Sequence, residues 1–203
     1  MNFANYDAFR VSFMQLADGD DVSQASFSPV TADLIIGLGE DRVYSDLRAS
    51  TMQAPLSAAI TANAATLPAD LIELNEVYFS GKRPLEILPM DRLRALEAAG
   101  TSTGTTRYAA QDGDTLRFWP TATGTVIGGY YAKPAPLKTI TWALATTFAR
   151  YPECFLFAAL AESVPFLTPA GDWERKYAQT IINATANERM RVYGGSPLRV
   201  RSR

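Results

Sequence analysis

The chain has 203 residues, nearly half of them apolar, enough for one substantial domain or two small ones sharing a core. Nineteen basic residues against twenty-one acidic ones leave a net charge of −2, so the molecule lacks the positive field that generic nucleic-acid binding requires. Histidine is absent and Cys154 is the single cysteine, which excludes metal sites built on imidazole or clustered thiolates, triads with a histidine base, and an internal disulfide.

Phe3, Tyr6, Phe9, Phe13 and Leu16 recur at three- and four-residue steps and predict a helix with one apolar face, ending near Asp18-Gly19-Asp20. A second helix opens at Ser28-Pro29, a capping residue followed by proline in the first turn, and carries Val30, Leu34, Ile35, Leu38 and Val43 before Leu47-Arg48. Gly37 and Gly39 each weaken that helix by roughly 1 kcal/mol relative to alanine, and so mark either a close crossing or a break.

From Thr51 to Lys133 the apolar period falls to two and the punctuation is that of hairpins. Ile72, Leu74 and Phe79 form one strand, Ser80-Gly81 a turn, and Pro84-Leu85-Glu86-Ile87 the expected returning partner. A short helix from Asp91 to Ala99 stops at Gly100, and the polar stretch 101–105 reads as an exposed loop. Asp112-Gly113 is the strongest hairpin signal in the chain and joins a strand at 107–110 to Thr115–Trp119. Thr123-Gly124 then turns into Val126–Tyr131. Pro134-Ala135-Pro136 ends the strands.

The C-terminal third returns to helices. Tyr151-Pro152-Glu153 starts one whose body, Phe155 to Leu160, is apolar on nearly every side, the mark of a central buried helix. After Thr168–Asp172 the last helix places Trp173, Tyr177, Ile181 and Ala184 on one face, with Glu174, Arg175, Lys176, Glu188 and Arg189 assigned elsewhere, until Gly194-Gly195. The expected fold is therefore α+β: a helical bundle built from residues 1–50 and 134–195, an inserted antiparallel β-rich subdomain at 51–133, and an extended C-terminal arm at 196–203. No apolar run approaches the roughly 20 residues needed to span a bilayer. The N-terminus has no basic stretch leading into an apolar one, so neither membrane insertion nor signal-directed secretion is expected.

Candidate chemistry is sparse. Glu40-Asp41, Asp112/Asp114 and Glu73/Glu76 are the available carboxylate clusters, and none has an arguable apolar pocket or orienting partner. Gly37-Leu38-Gly39 and Gly128-Gly129 lack the lysine, the threonine and the strand-to-helix context of phosphate loops. Phe118, Trp119, Tyr130 and Tyr131 alternate on two strands taken to be neighbours; they make either a stacking platform for sugars or bases, or a sheet packed on both faces. Glu162 lies within the most apolar helix and needs a cationic partner, for which an arginine of the N-terminal helices, Arg42 or Arg48, or one from the C-terminal tail is the natural candidate. In the arm, Pro197 prevents the helix from resuming, and Leu198, Val200 and Ser202 alternate with Arg199, Arg201 and Arg203 at the period of a strand. Pro197, Leu198, Arg199, Val200, Arg201 and Arg203 thus read as an extended arm that adds to the open sheet edge of a partner, its assembly interface.

Four stretches in order carry a resemblance: 38–48 (Leu38-Gly39-Glu40-Asp41-Arg42-Val43-Tyr44-Ser45-Asp46-Leu47-Arg48), 67–74 (Leu67-Pro68-Ala69-Asp70-Leu71-Ile72-Glu73-Leu74), Tyr151-Pro152 through Ala158–Leu167, and Gly194 through Ser202. Together they resemble the head-to-tail adaptor (connector) proteins of short-tailed bacteriophages. The sequence departs from that pattern at Gly37 and Gly39, and in a longer 139–150 connection. The resemblance implies a structural virion protein rather than an enzyme, without cofactor or metal. It implies a homo-oligomeric, dodecameric ring bound to the portal protein at the head–tail junction and presenting a platform to tail nozzle or tail fibre proteins. DNA would pass through its channel during ejection without sequence-specific binding, and the protein would be made in the host bacterial cytoplasm. The competing readings are a wall-degrading glycosidase and a carbohydrate-binding module.

Overall fold

The computed structural model describes residues 3–18, 28–79, 83–100, 104–165 and 171–193. The chain is mixed α+β and divides into two compact units: residues up to Met52 together with those from Pro134 onward, and Gln53–Lys133.

The first unit holds α1 (Tyr6–Asp18), α2 (Pro29–Asp46), α4 (Thr146–Arg150), α5 (Pro152–Ser163) and α6 (Trp173–Tyr193). Ser28 caps α2, its hydroxyl accepting the Thr31 N–H at 3.3 Å, and Pro29 takes the first helical position where no N–H is needed. α5 is the hub. It buries Cys154, Phe155, Leu156 and Ala158–Ala161, and α1, α2, α4 and α6 all touch it.

Gly39 makes the α2–α5 crossing close: a Cβ there would lie 2.5 Å from the Ala159 backbone nitrogen. Helix α2 runs through both glycines unbroken, so Gly39 marks a crossing and not a break. The face turned to α5 is Ala32, Ile35, Ile36, Gly39 and Val43. Val30, Leu34 and Leu38, expected on the same apolar face, are instead exposed, as is Leu16 of α1. Apolar residues surround nearly the whole of α2, so period alone does not choose a face; the side that admits the close approach is the one buried.

A chain of edge-to-face and tilted aromatic contacts ties α1 to α5. The Phe9 and Phe148 ring centroids lie 5.0 Å apart, those of Phe148 and Phe155 5.3 Å, and Tyr44 of α2 meets Phe155 at 5.5 Å. Phe148 belongs to α4, within the stretch expected to be a plain connection. That stretch contains a turn of 3-10 helix at Trp142–Leu144 and then α4. Trp142 packs at a tilt against Phe148, ring centroids 4.8 Å apart, and donates its indole N–H to the Phe3 carbonyl at 2.9 Å.

The second unit is one seven-stranded sheet: β1 (Gln53–Thr61), β2 (Ala64–Thr66), β3 (Leu71–Phe79), β4 (Glu86–Ile87), β5 (Tyr108–Asp112), β6 (Thr115–Trp119) and β7 (Gly124–Ala132), in the order β3-β7-β1-β2-β6-β5-β4. α3 (Met90–Ala99) lies against β5 and β6 and buries Leu93. The Asp112-Gly113 hairpin forms with Gly113 at φ +59°. Pairing is antiparallel except at β4, which runs parallel to β5. The segment expected to return along β3 does so only briefly, through a bridge from Tyr78 to Pro84 and the Leu85 N–H on the Val77 carbonyl at 2.7 Å, before it leaves to join β5.

A β1–β2 hairpin turns on Ala62 and Asn63, both at positive φ. Asn63 then stitches the sheet, its side chain donating to the Phe118 carbonyl at 2.8 Å and accepting the Ala122 N–H at 2.9 Å. Gly128 seats the bulge in β3, because a Cβ there would meet the Glu76 carbonyl oxygen at 2.0 Å. Leu56, Val77, Phe79, Leu116, Phe118, Val126 and Tyr130 form the core of this unit.

Candidate assembly site

Arg42, Glu162 and Arg48 are separated in role. The Arg42 guanidinium donates to Glu162 at 2.9 Å and to Glu174, bidentate, and lies over the Tyr177 ring at 4.4 Å. Tyr177 in turn donates to Asp46 at 2.7 Å. One arginine on α2 thereby joins α5 and α6. Hydrogen bonding to Glu174 foremost, opposed by burial and helped by Glu162, raises the Arg42 pKa further. The side chains of Arg42 and Glu162 are 29% and 32% exposed, so this pair lies at the margin of the helices and not inside them. Arg48 lies elsewhere in this unit and donates to the Tyr44 and Ser45 carbonyls at 2.9 Å, covering the free acceptors at the end of α2.

The most enclosed carboxylate among the described residues is one that the apolar period of α6 leaves on the polar side. Glu188 lies four residues beyond Ala184 on the buried face of α6 and accepts from Tyr151 at 2.6 Å, from the Ser50 N–H at 2.7 Å and from Arg150 at 3.0 Å. Burial opposes its charge, but the donors from Tyr151, Ser50 and Arg150 outweigh it and hold the carboxyl at about 2. The signal in the sequence is its position on the buried stripe, seven residues from Tyr177 to Ala184 and four more to Glu188.

Asp33 is a second meeting point, accepting from Lys138 at 2.8 Å, Tyr6 at 2.9 Å and Arg10 at 3.4 Å. Burial raises its pKa, but Lys138 and Tyr6 more than offset this and leave it below the usual carboxylate value. Glu40, buried, accepts the Leu137 N–H at 2.9 Å. Of the clusters weighed as acid–base pairs, Glu40 thus fixes a loop, Asp112 reaches Arg117 at 3.9 Å across its hairpin, and Glu73 and Glu76 stand exposed on β3. The described residues contain no group of three or more His, Cys, Asp or Glu that could hold a metal ion.

The four sheet aromatics do not make the pair of adjacent rows expected. β6 and β7 are separated by β1 and β2; Phe118 and Tyr130 point into the core, and Trp119 and Tyr131 are half-buried. Tyr130 donates to Asp70 at 3.1 Å. Pro197, Leu198, Arg199, Val200, Arg201 and Arg203 lie outside the described residues.

These polar constellations tie one element to another, and Arg150 and Tyr151 of the Glu188 cluster also line a cavity with Pro152, Asn183 and Asn187. A family model, the SU10 adaptor protein, matches residues 4–201. The chain belongs to the SU10 adaptor protein family. It is therefore a structural phage adaptor, a protein of the virion that works in complex with other virion proteins. No curated protein matches the sequence. Among the described residues no helix is long and apolar enough to cross a membrane.

Proposed function

We propose that this adaptor forms a ring of twelve copies that binds the portal of the DNA-filled head and presents a platform to the tail nozzle or fibre proteins, with the genome passing through its channel. The family match across nearly the whole chain carries the reading. In it, the helices of the first unit form a bundle, and Arg42–Glu162 anchors that bundle together with Glu188. The residue inventory supports the same role: a net charge of −2 suits a channel through which DNA slides without sticking, and nine tyrosines with three tryptophans supply interface side chains with apolar bodies.

The residues Pro197, Leu198, Arg199, Val200, Arg201 and Arg203 form an arm that docks on the portal or a neighbouring subunit. Main-chain pairing to an open sheet edge and arginine–carboxylate contacts would hold it. Deleting residues 196–203 is the test. The truncated chain should unfold at the same temperature as the full chain yet fail to join portal-bearing heads; truncated copies that assemble into DNA-retaining heads refute the arm.

A further inference from the structure

Helix α2 presents Val30, Leu34 and Leu38 to solvent, 76%, 61% and 42% exposed, at steps of four residues. Helix α6 does the same with Ala178, Ile182, Ala186 and Met190, all exposed, Ile182 and Met190 by 62% and 66%. Rows at four-residue steps are the ridges by which helices interlock. At 1.5 Å per residue they run for about 12 and about 18 Å, comparable lengths of helix.

Within one copy, α2 and α6 meet through Arg42–Glu174 and Tyr177–Asp46, a contact that leaves both ridges outside. The helices are also opposite in charge. Glu40, Asp33 and Glu188 are engaged within the copy, and of the charges on the exposed surface α2 carries Asp41 and Asp46, whereas α6 carries Arg175, Lys176, Arg189 and Arg191 against Glu174.

Gly37 adds an independent observation. It stands between Leu34 and Leu38 in sequence, costs the helix stability, and has nothing within 4 Å of where its Cβ would be. Gly39 is needed by α5, whereas among the described residues nothing lies within 4 Å of where a Gly37 Cβ would be. A missing side chain beside a ridge is what a second helix lying on that ridge requires.

We infer that the α2 ridge of one copy packs against the α6 ridge of the next, with Gly37 at the close approach, and that this contact links subunits around the ring. The occupant is a second copy because the chain carries both halves, apolar to apolar and acidic to basic. Two different patches make a head-to-tail contact, which propagates until it closes. The inference rests on the ring reading above.

Cysteine pairing in assembled particles tests it. The native Cys154 is fully buried and burial pushes its thiol up to about 12, so it gives little background. Leu34→Cys, Ile182→Cys and the double variant replace exposed residues and should fold normally, as melting curves will verify. With a short bifunctional thiol reagent, particles holding the double variant should give a ladder of covalent oligomers, and particles holding either single variant should give none. Covalent dimers from one single variant, the largest product that one accessible thiol per chain allows, would show like patches meeting like, and would overturn the head-to-tail contact. No ladder from the double variant, in particles that hold the subunit, would overturn the interface while leaving the ring. Wild-type particles lacking the subunit altogether would overturn the ring reading and this contact with it.

Discussion

Glu188 offers the sharpest test of how the helical unit holds together. In the folded chain it accepts from Tyr151, the Ser50 N–H and Arg150 within 2.6–3.0 Å, and its carboxyl stays ionised down to about 2 against an ordinary value of 4.5. At 1.36 kcal/mol per unit, that difference corresponds to about 3 kcal/mol of stability. The sign follows from proton uptake. Between pH 4.5 and 2 the unfolded carboxyl binds a proton that the folded one refuses, so the contribution is complete above about pH 4.5 and is lost as pH falls through about 2. Glu188→Gln keeps the size and removes the charge. Urea unfolding of wild type and variant from pH 7 to pH 2 should show wild type more stable by about 3 kcal/mol near neutrality, with the gap closing in acid. Glu188→Ala leaves three donors without their acceptor and should cost about 3–5 kcal/mol at pH 7. Parallel stability curves for wild type and Glu188→Gln would refute the reasoning, because they would mean that the charge does not contribute.

Two glycines of one helix should respond oppositely: Gly37→Ala raises stability by about 0.5–1 kcal/mol, whereas Gly39→Ala, whose Cβ would intrude on Ala159, lowers it by at least about 1–3 kcal/mol in thermal or urea unfolding. Glu162→Ala should cost about 1 kcal/mol, well under the loss of a buried pair, because Arg42 is partly exposed and keeps Glu174; a loss above about 3 kcal/mol contradicts this placement. Asn63→Ala removes two hydrogen bonds and leaves alanine at positive φ, so it should cost about 1–3 kcal/mol by the same measurement.

Local signals with a single physical reading survived into the structure. Ser28-Pro29 starts α2, Asp112-Gly113 turns β5 into β6, and the all-apolar run in α5 is buried on nearly every side. What escaped depends on partners distant in sequence. Leu34 and Leu38 look as apolar as Ile35 and Ile36, and only Ala159, more than a hundred residues on, decides which pair is buried. Glu188 reads as a solvated charge until Ser50, Arg150 and Tyr151 are brought to it. Ala62-Asn63 is a weak turn signal beside Asn-Gly or Asp-Gly, so β1 and β2 have no visible hairpin between them. The 139–150 stretch is short and proline-flanked, and its α4 exists because Phe148 fills the gap between Phe9 and Phe155. Family membership was legible in the order of four motifs rather than in any one residue.

Electron cryomicroscopy of purified particles, with this subunit tagged, tests the central claim most directly. The account predicts a closed ring of twelve copies between portal and tail, surrounding the DNA path. Density for the tagged subunit at the tail tip or the head surface, or isolated copies that do not form a ring, would contradict it.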